Sequence, residues 1–282
     1  MQSPTTITSV GELRALTENW RRNGQRIGLV PTMGALHAGH LSLVALARNR
    51  VDRVVVSIFV NPFQFAPHED FERYPRNIEE DYTRLASAGG TDIVFAPPLG
   101  ELYPHGFATR IEVAGPARGL EAEFRPHFFS GVATIVAKLL IAATPDIAVF
   151  GEKDYQQLLV VRRLALDLGL ATEILSAPIV RESDGLALSS RNAYFGTNER
   201  RIAGQLNRVL GQVATEIQSG VSIAEGERSG QAALLEAGFD TVDYVAIRDA
   251  ATLSQLDGPI GNMRVLAAAT IGGTRLIDNM PV

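Results

Sequence analysis

Two histidines three residues apart, His37 and His40, follow a short apolar run and open a helical pattern. Arg26–Val30 is short, apolar and bounded, as a buried strand is, and Ala35–Arg48 carries apolar residues at helical spacing. Between them Pro31, Thr32 and Gly34 turn strand into helix. Unpaired backbone N–H groups and the positive end of the helix dipole favour a phosphate there, and two imidazoles on one face of the first turn add directed donors. Gly39 has no Cβ, so a ligand can come close between them. Plainer readings stay open: the pair could be surface residues or local caps. Spaced histidines also ligate zinc, but the chain has no cysteine and no third ligand stands nearby.

Two more predicted strands end in polar groups. The β-branched run within Val51–Val60 stops at Asn61-Pro62 and is followed by Gln64, either a solvated turn or a second set of donors. Asp146–Phe150 ends in Gly151-Glu152-Lys153-Asp154. Lys153 lies where a flexible ammonium could reach a phosphate, and Asp154 and Gln157 have capping-box spacing, which leaves Gln157 a structural role as well. Further along, Ser189-Ser190-Arg191-Asn192 offers paired hydroxyls and a guanidinium suited to an oxyanion, or is an ordinary hydrophilic loop. Glu79, Glu80 and Asp81 open a helix over Ile78–Ser87, as dipole partners or as magnesium ligands. In an open parallel α/β sheet ligands bind beyond the carboxyl ends of the strands, so His37/His40, Asn61/Gln64 and Lys153/Gln157 converge on one crevice. The joint reading is a nucleotide site.

The elements that must position these groups follow a βαβ rhythm. A helix over Val10–Asn23 is capped by Ser9 with Glu12, and further strands are expected at Asp92–Ala96, 109–113 and Thr172–Leu175. A polar loop is expected over 66–76 and an apolar helix over Ser130–Ala143, with Lys138 its one charge, snorkelling or pointing into a cleft. The fold class is α/β: a Rossmann-like doubly wound parallel sheet over 1–178, followed by a smaller α+β lid domain over 179–282. In the latter a helix capped by Thr197 ends at Gly220, a Ser222/Glu225 capping box opens a second, Val242–Ile247 is a strand, and Gly272-Gly273 turns a hairpin. A net charge of −5 leaves no footprint for nucleic acid, and the most apolar stretch, Val132–Ala143, is too short to span a bilayer. Absence of cysteine and of a leader-like start points to a cytoplasmic protein.

Four stretches together resemble the pantoate–β-alanine ligases (pantothenate synthetases), of the His-x-Gly-His nucleotidyltransferase superfamily: Pro31-Thr32-Met33-Gly34-Ala35-Leu36-His37-x-Gly39-His40, Phe59-Val60-Asn61-Pro62-x-Gln64-Phe65, Gly151–Gln157 and Asp184–Asn192. The resemblance implies ATP-dependent formation of pantoyl adenylate and pyrophosphate, then attack by β-alanine to give pantothenate and AMP. It implies that His37, His40 and Lys153 are catalytic, that Met33, Gly39, Gly151, Lys153, Asp154, Ser189, Ser190 and Arg191 bind ATP, and that Asn61, Gln64 and Gln157 bind pantoate. Asp81 is the candidate ligand for Mg²⁺. The family is typically homodimeric. One segment departs: where the family has Arg-Pro-x-His-Phe-x-Gly-Val, this chain has Arg125-Pro126-His127-Phe128-Phe129-Ser130-Gly131-Val132, with Phe128 at the histidine position. The alternatives are a related carboxylate-adenylating ligase or nucleotidyltransferase, or a nucleotide-binding homologue impaired in turnover. A class I aminoacyl-tRNA synthetase is disfavoured by the acidic charge and the lack of a tRNA-binding appendage.

Overall fold

The computed structural model describes residues 3–66, 69–258 and 261–282, so positions 67 and 68 of the expected polar loop lie outside the described residues. The chain divides into two compact units. The first takes in residues up to Ala114, Arg125–Glu152 and Val160–Pro178; the second takes in Gly115–Phe124, Lys153–Leu159 and Ile179–Val282.

In the first unit the described residues form one parallel sheet of β1 (Thr5–Ile7), β2 (Ile27–Thr32), β3 (Arg53–Ile58), β4 (Ile93–Phe95), β5 (Ile147–Gly151) and β6 (Glu173–Ala177), in the order β1-β4-β3-β2-β5-β6. The helices up to this point in the chain are α1 (Val10–Arg22), α2 (Ala38–Arg48), α3 (Ile78–Ala88), α4 (Leu99–Leu102), α5 (Glu121–Phe124), α6 (Phe128–Ala143) and α7 (Tyr155–Asp167), with α5 and the start of α7 in the second unit. Val54, Val55 and Val56 are all fully buried, so both faces of β3 are covered and the run is apolar without alternation. The chain leaves β2 for β3 on one side and returns through α6 to β5 on the other. That reversal puts the switch point of the sheet at the carboxyl ends of β2 and β5.

Sequence and structure part company in short segments. β1 was not expected: three residues, Thr5–Ile7, carry too little pattern, yet they pair with Ile93–Phe95 at the sheet edge. Residues 109–113, expected as a strand, are irregular. The Ile111 N–H donates to Thr134 Oγ1 at 3.0 Å and its carbonyl accepts from Ser130 Oγ at 3.0 Å, so side chains of α6 satisfy the backbone that a ladder would have used.

The second unit has an antiparallel sheet of β7 (Thr241–Asp249), β8 (Met263–Ile271) and β9 (Thr274–Pro281), with α8 (Thr197–Ala203), α9 (Gln205–Gln218) and α10 (Ile223–Ala237). Alternation sorts the strands: Val245, Ile247, Val265 and Ala267 share a core with Leu206, Leu210 and Leu234, while Ala246 and Leu266 share another with Leu120 and Leu159. The Ser222/Glu225 box forms, and Gly272 and Gly273 take φ values of 57° and 72°, as a two-residue hairpin needs. The helix expected from Thr197 to Gly220 is instead two, broken at Gly204, where a Cβ would press into the Asp184 carboxylate. Its cap is Gly196 rather than Thr197.

Candidate active site

α2 begins at Ala38, three residues later than the periodicity predicts, because His37 is its N-cap. With φ −135° and ψ 177°, the His37 backbone is extended, and its ring Nδ1 accepts the Gly39 N–H at 3.2 Å. His40, at the third helical position, returns the contact: its Nδ1 accepts the His37 N–H at 3.2 Å. Two histidines thus form the reciprocal cap usually made by a Ser or Thr and a Glu. Since backbone N–H groups only donate, each Nδ1 is the unprotonated nitrogen and each neutral ring carries its proton on Nε2. The centroids stand 4.1 Å apart. The result is a pair of Nε2–H donors, preset by the backbone, at a helix N-terminus beyond the end of β2.

The loop before them is held from below. Gly34 and Ala35 have φ values of 85° and 49°, and the Asp81 carboxylate accepts the Ala35 N–H at 2.9 Å and the Leu36 N–H at 2.7 Å. A Cβ on Gly34 would lie 2.9 Å from Asp81 Oδ2. Asp81, expected as a magnesium ligand, is 2% exposed with both oxygens bonded to the loop, so its carboxylate anchors the backbone before His37. Burial pushes its carboxyl above the usual carboxylate range, against the pull of the two N–H groups. A raised folded value means that the stability this group contributes is full below the ordinary carboxylate pKa and is lost as pH rises through the folded value. Asp81→Asn turns an amide NH₂ toward one backbone donor, and a loss of about 1–3 kcal/mol is expected. Thermal denaturation from pH 4 to 8 checks both parts: the Tm gap between wild type and variant narrows as pH rises.

Beyond β3, Pro62–Gln64 form a 3-10 turn capped by Asn61. Asn61 Oδ1 accepts the Phe63 N–H at 3.3 Å and its Nδ2 donates to the Gly131 carbonyl at 3.1 Å. One partner can only donate and the other only accept, so the orientation of the Asn61 amide is fixed. Its Nδ2 also donates to Gln64 Oε1 at 2.9 Å, which directs the Gln64 NH₂ the other way as a donor. The Tyr103 hydroxyl donates to Asn61 Oδ1 at 2.9 Å, and burial raises that phenol's pKa and keeps it protonated. Sequence reasoning missed Tyr103; it sits in the irregular stretch where no period points to a site. Lys138 neither snorkels freely nor stands bare: its ammonium lies 4.8 Å from the Phe107 ring centroid and 5.9 Å from that of Tyr103.

Gly151 closes β5, and there a Cβ would meet only Leu43 Cδ2, at 4.0 Å, so packing within the unit does not demand a glycine. Met33, Gly39 and Gly151 thus belong to the first unit with His37, His40, Asn61, Gln64 and Asp81. The second unit holds Lys153, Asp154, Gln157, Ser189, Ser190 and Arg191. Lys153 Nζ is 4.0 Å from Asp154 Oδ2. The expected Asp154/Gln157 capping box is corrected: Asp154 is the last residue of a 3-10 turn, Glu152–Asp154, that runs straight into α7, so it is not a cap. Gln157 is half-buried, and the fully enclosed neighbour Gln156 does the structural work, its amide donating to the carbonyls of Pro116 and Gly119 at 2.9 and 3.1 Å. Ser189 caps the 3-10 turn Ser190–Tyr194, its Oγ accepting the Arg191 N–H at 3.3 Å.

Comparison with known proteins decides the family. The model of the pantoate-beta-alanine ligase family matches residues 5–281. The chain belongs to the pantoate–β-alanine ligases. It is 52% identical to the pantothenate synthetase of Mesorhizobium japonicum, over 100% of this chain and 99% of that one, and 53% identical to that of Caulobacter vibrioides over the whole of both. The crystal structure of pantothenate synthetase from Thermus thermophilus matches with a TM-score of 0.91 at 47% identity, covering 98% of each chain. That of the pantoate-beta-alanine ligase from Francisella tularensis, complexed with beta-gamma ATP and beta-alanine, matches at 0.82 and 33%, covering 99% of this chain and 97% of that one.

Against the pantoate–β-alanine ligase pattern, the departure at Phe128 is accommodated by a different contact. Phe128 is buried and the Arg125 guanidinium lies 3.9 Å from its ring centroid, while His127 is exposed at the N-cap of α6. Arg125 also binds the Glu69 carboxylate through Nε at 2.6 Å and through its second nitrogen at 2.7 Å, and it donates to the Gln64 carbonyl at 3.1 Å. Stacking on Phe128 thus accompanies a guanidinium that grips Glu69 with two bonds and the Gln64 carbonyl with one.

Proposed function

We propose that the protein joins pantoate to β-alanine with ATP, giving pantothenate, AMP and pyrophosphate through pantoyl adenylate. The observation that carries the reading is the histidine capping box, which engages both Nδ1 atoms and so leaves Nε2 as the protonated nitrogen of each ring, at a helix N-terminus beyond the end of β2. A pantoate carboxylate oxygen attacks the α-phosphorus of ATP; the new P–O bond forms as the bond to the bridging oxygen breaks and pyrophosphate leaves. His37 and His40 donate to the phosphoryl oxygens as charge builds, a preorganised role that needs no covalent enzyme intermediate. The Gln64 NH₂, turned outward by Asn61, binds an acceptor oxygen of pantoate, and Gln157 serves the same substrate. In the second step the free amine of β-alanine attacks the acyl carbon, the C–N bond replaces the acyl–O bond to AMP, and the amine gives up a proton.

Lys153, Ser189, Ser190 and Arg191 hold the phosphates in this proposal, with Asp154 beside Lys153, and Met33, Gly39 and Gly151 letting the nucleotide come close. Support for those roles is the intact family motifs. Magnesium enters with the nucleotide, because Mg²⁺ keeps most of its waters and is commonly held by substrate phosphates. Among the described residues there is no group of three or more His, Asp or Glu side chains that could hold a metal ion. We also place the protein in the cytoplasm as a homodimer, by family resemblance. Among the described residues no helix is long and apolar enough to cross a membrane, and the net charge of −5 speaks against a nucleic-acid partner.

The test is pyrophosphate release with Mg-ATP, with and without pantoate, followed by β-alanine and mass detection of pantothenate. Pyrophosphate is expected only with pantoate, and pantothenate only after the amine is added. ATP binding without pantoate-dependent pyrophosphate would overturn the reading in favour of an impaired homologue or a different acid.

A further inference from the structure

Nothing in the sequence marks the last strand for chemistry, yet β9 holds two adjacent polar residues almost out of reach of water. Asp278 is 3% exposed and Asn279 is 2% exposed. Side chains buried that far usually hold something, and here the Asp278 carboxylate and the Asn279 Nδ2 do. Asn279 Nδ2 donates to the Lys153 carbonyl at 3.0 Å, across 126 positions of sequence. Asp278 binds Arg181 in a two-pronged pair, Oδ2 to one guanidinium nitrogen at 2.7 Å and Oδ1 to the other at 2.9 Å. The same two nitrogens donate to the carbonyls of Gly185 at 2.9 Å and Asn279 at 3.3 Å.

Arg181 is the start of the connection that leads to Ser189–Arg191. The Leu188 N–H donates to the Val180 carbonyl at 2.9 Å, Arg181 and Ala187 form an antiparallel bridge, and Asn192 Nδ2 donates to the Ala187 carbonyl at 3.1 Å. Gly185, at φ +92°, makes the turn. A rigid hairpin gripped at its base by Arg181 therefore presents the Ser189 turn. Both phosphate-binding segments of this unit end on one dipeptide of β9.

We infer that Asp278 and Asn279 are positioning residues for the adenylation step: Asn279 fixes the backbone of Lys153, and Asp278, through Arg181, fixes the hairpin that carries Ser189, Ser190 and Arg191. The inference rests on the phosphate-binding roles proposed above. Displacement of a charge-neutralising group by about 1 Å can cost about 10²-fold in rate, so a brace of this kind acts on kcat more than on acid binding.

A double-mutant cycle tests it, with single-turnover pyrophosphate release at excess enzyme so that slow variants remain readable. Asn279→Ala is expected to lower the rate about 10- to 100-fold, with the pantoate concentration for half-maximal rate within about twofold of wild type. In a Lys153→Ala background the same change is expected to add less than about twofold, since residues that act through one another are not additive. Asn279→Asp keeps the side-chain volume but turns a carboxylate oxygen toward the Lys153 carbonyl; it is expected to be at least as slow, and it carries the test if the alanine variant does not fold. Equal losses in the two backgrounds, or wild-type rates with only a lowered Tm, would overturn the inference and leave a structural bond. A wild-type protein without pantoate-dependent pyrophosphate release would instead overturn the proposed function, a result read before any variant is made.

Discussion

Gly131→Ala is expected to remove about 10²-fold of pantoate-dependent kcat/KM while leaving ATP affinity near that of the wild type. α6 crosses the 3-10 turn Pro62–Gln64 so closely that a Cβ on Gly131 would sink into the Phe63 carbonyl group, 2.6 Å from its carbon, and stand 3.0 Å from the Gln64 nitrogen. Those neighbours are backbone and cannot rotate aside. Either the turn or the helix must shift, and overpacking of this kind costs about 1–3 kcal/mol, or a Tm lower by about 2–10 °C. The same shift breaks the bond from Asn61 Nδ2 to the Gly131 carbonyl, which helps to set the direction in which the Gln64 amide points. Initial rates against pantoate, calorimetry with ATP and a thermal melt separate the parts. An unchanged pantoate dependence would mean that the orientation of Gln64 is not set by this contact.

The same residues show how far sequence reasoning reaches. The polar ends of β2, β3 and β5 were legible because each follows an apolar run whose length and β-branching specify a buried strand. The Ser9/Glu12 and Ser222/Glu225 caps were legible because a capping box is local, and both form as spaced. Most of what failed is non-local. Asp81 has the first-turn position of a dipole partner, and only the fold reveals that its carboxylate faces the N–H groups of Ala35 and Leu36, 46 and 45 positions away. Gln156 and Gln157 are adjacent and chemically identical; their difference lies in which one the helix turns inward. His37 looked like a first-turn residue because apolar spacing does not distinguish a cap from a helical position. Asn279 and Lys153 lie too far apart in sequence for any window to join them.

His40→Gln is expected to lose about 10²–10³ in pantoate-dependent pyrophosphate release with Tm within about 2 °C of wild type, which would separate the capping contact from the proposed catalytic role. Its Nδ1 is a structural acceptor for the His37 N–H, and its Nε2–H is the donor proposed for the phosphate. Glutamine is a standard residue at the third position of a capping box, so its side-chain oxygen can keep the first job while the ring donor is gone. His40→Ala loses both, and a further stability cost of about 1 kcal/mol is expected from the broken cap. His37→Asn is the matching change at the cap itself: asparagine is among the best N-cap residues, so the helix start is retained and the second Nε2–H is removed. Stopped-flow or steady-state rates together with thermal melts read out both quantities for each variant. If His40→Gln and His37→Asn turn over like the wild type, the histidines are caps and nothing more, and the phosphate must be held elsewhere. If rates collapse while both variants melt as the wild type does, the capping box is a device that uses backbone N–H groups to fix two imidazole tautomers and aim their remaining protons at one anion.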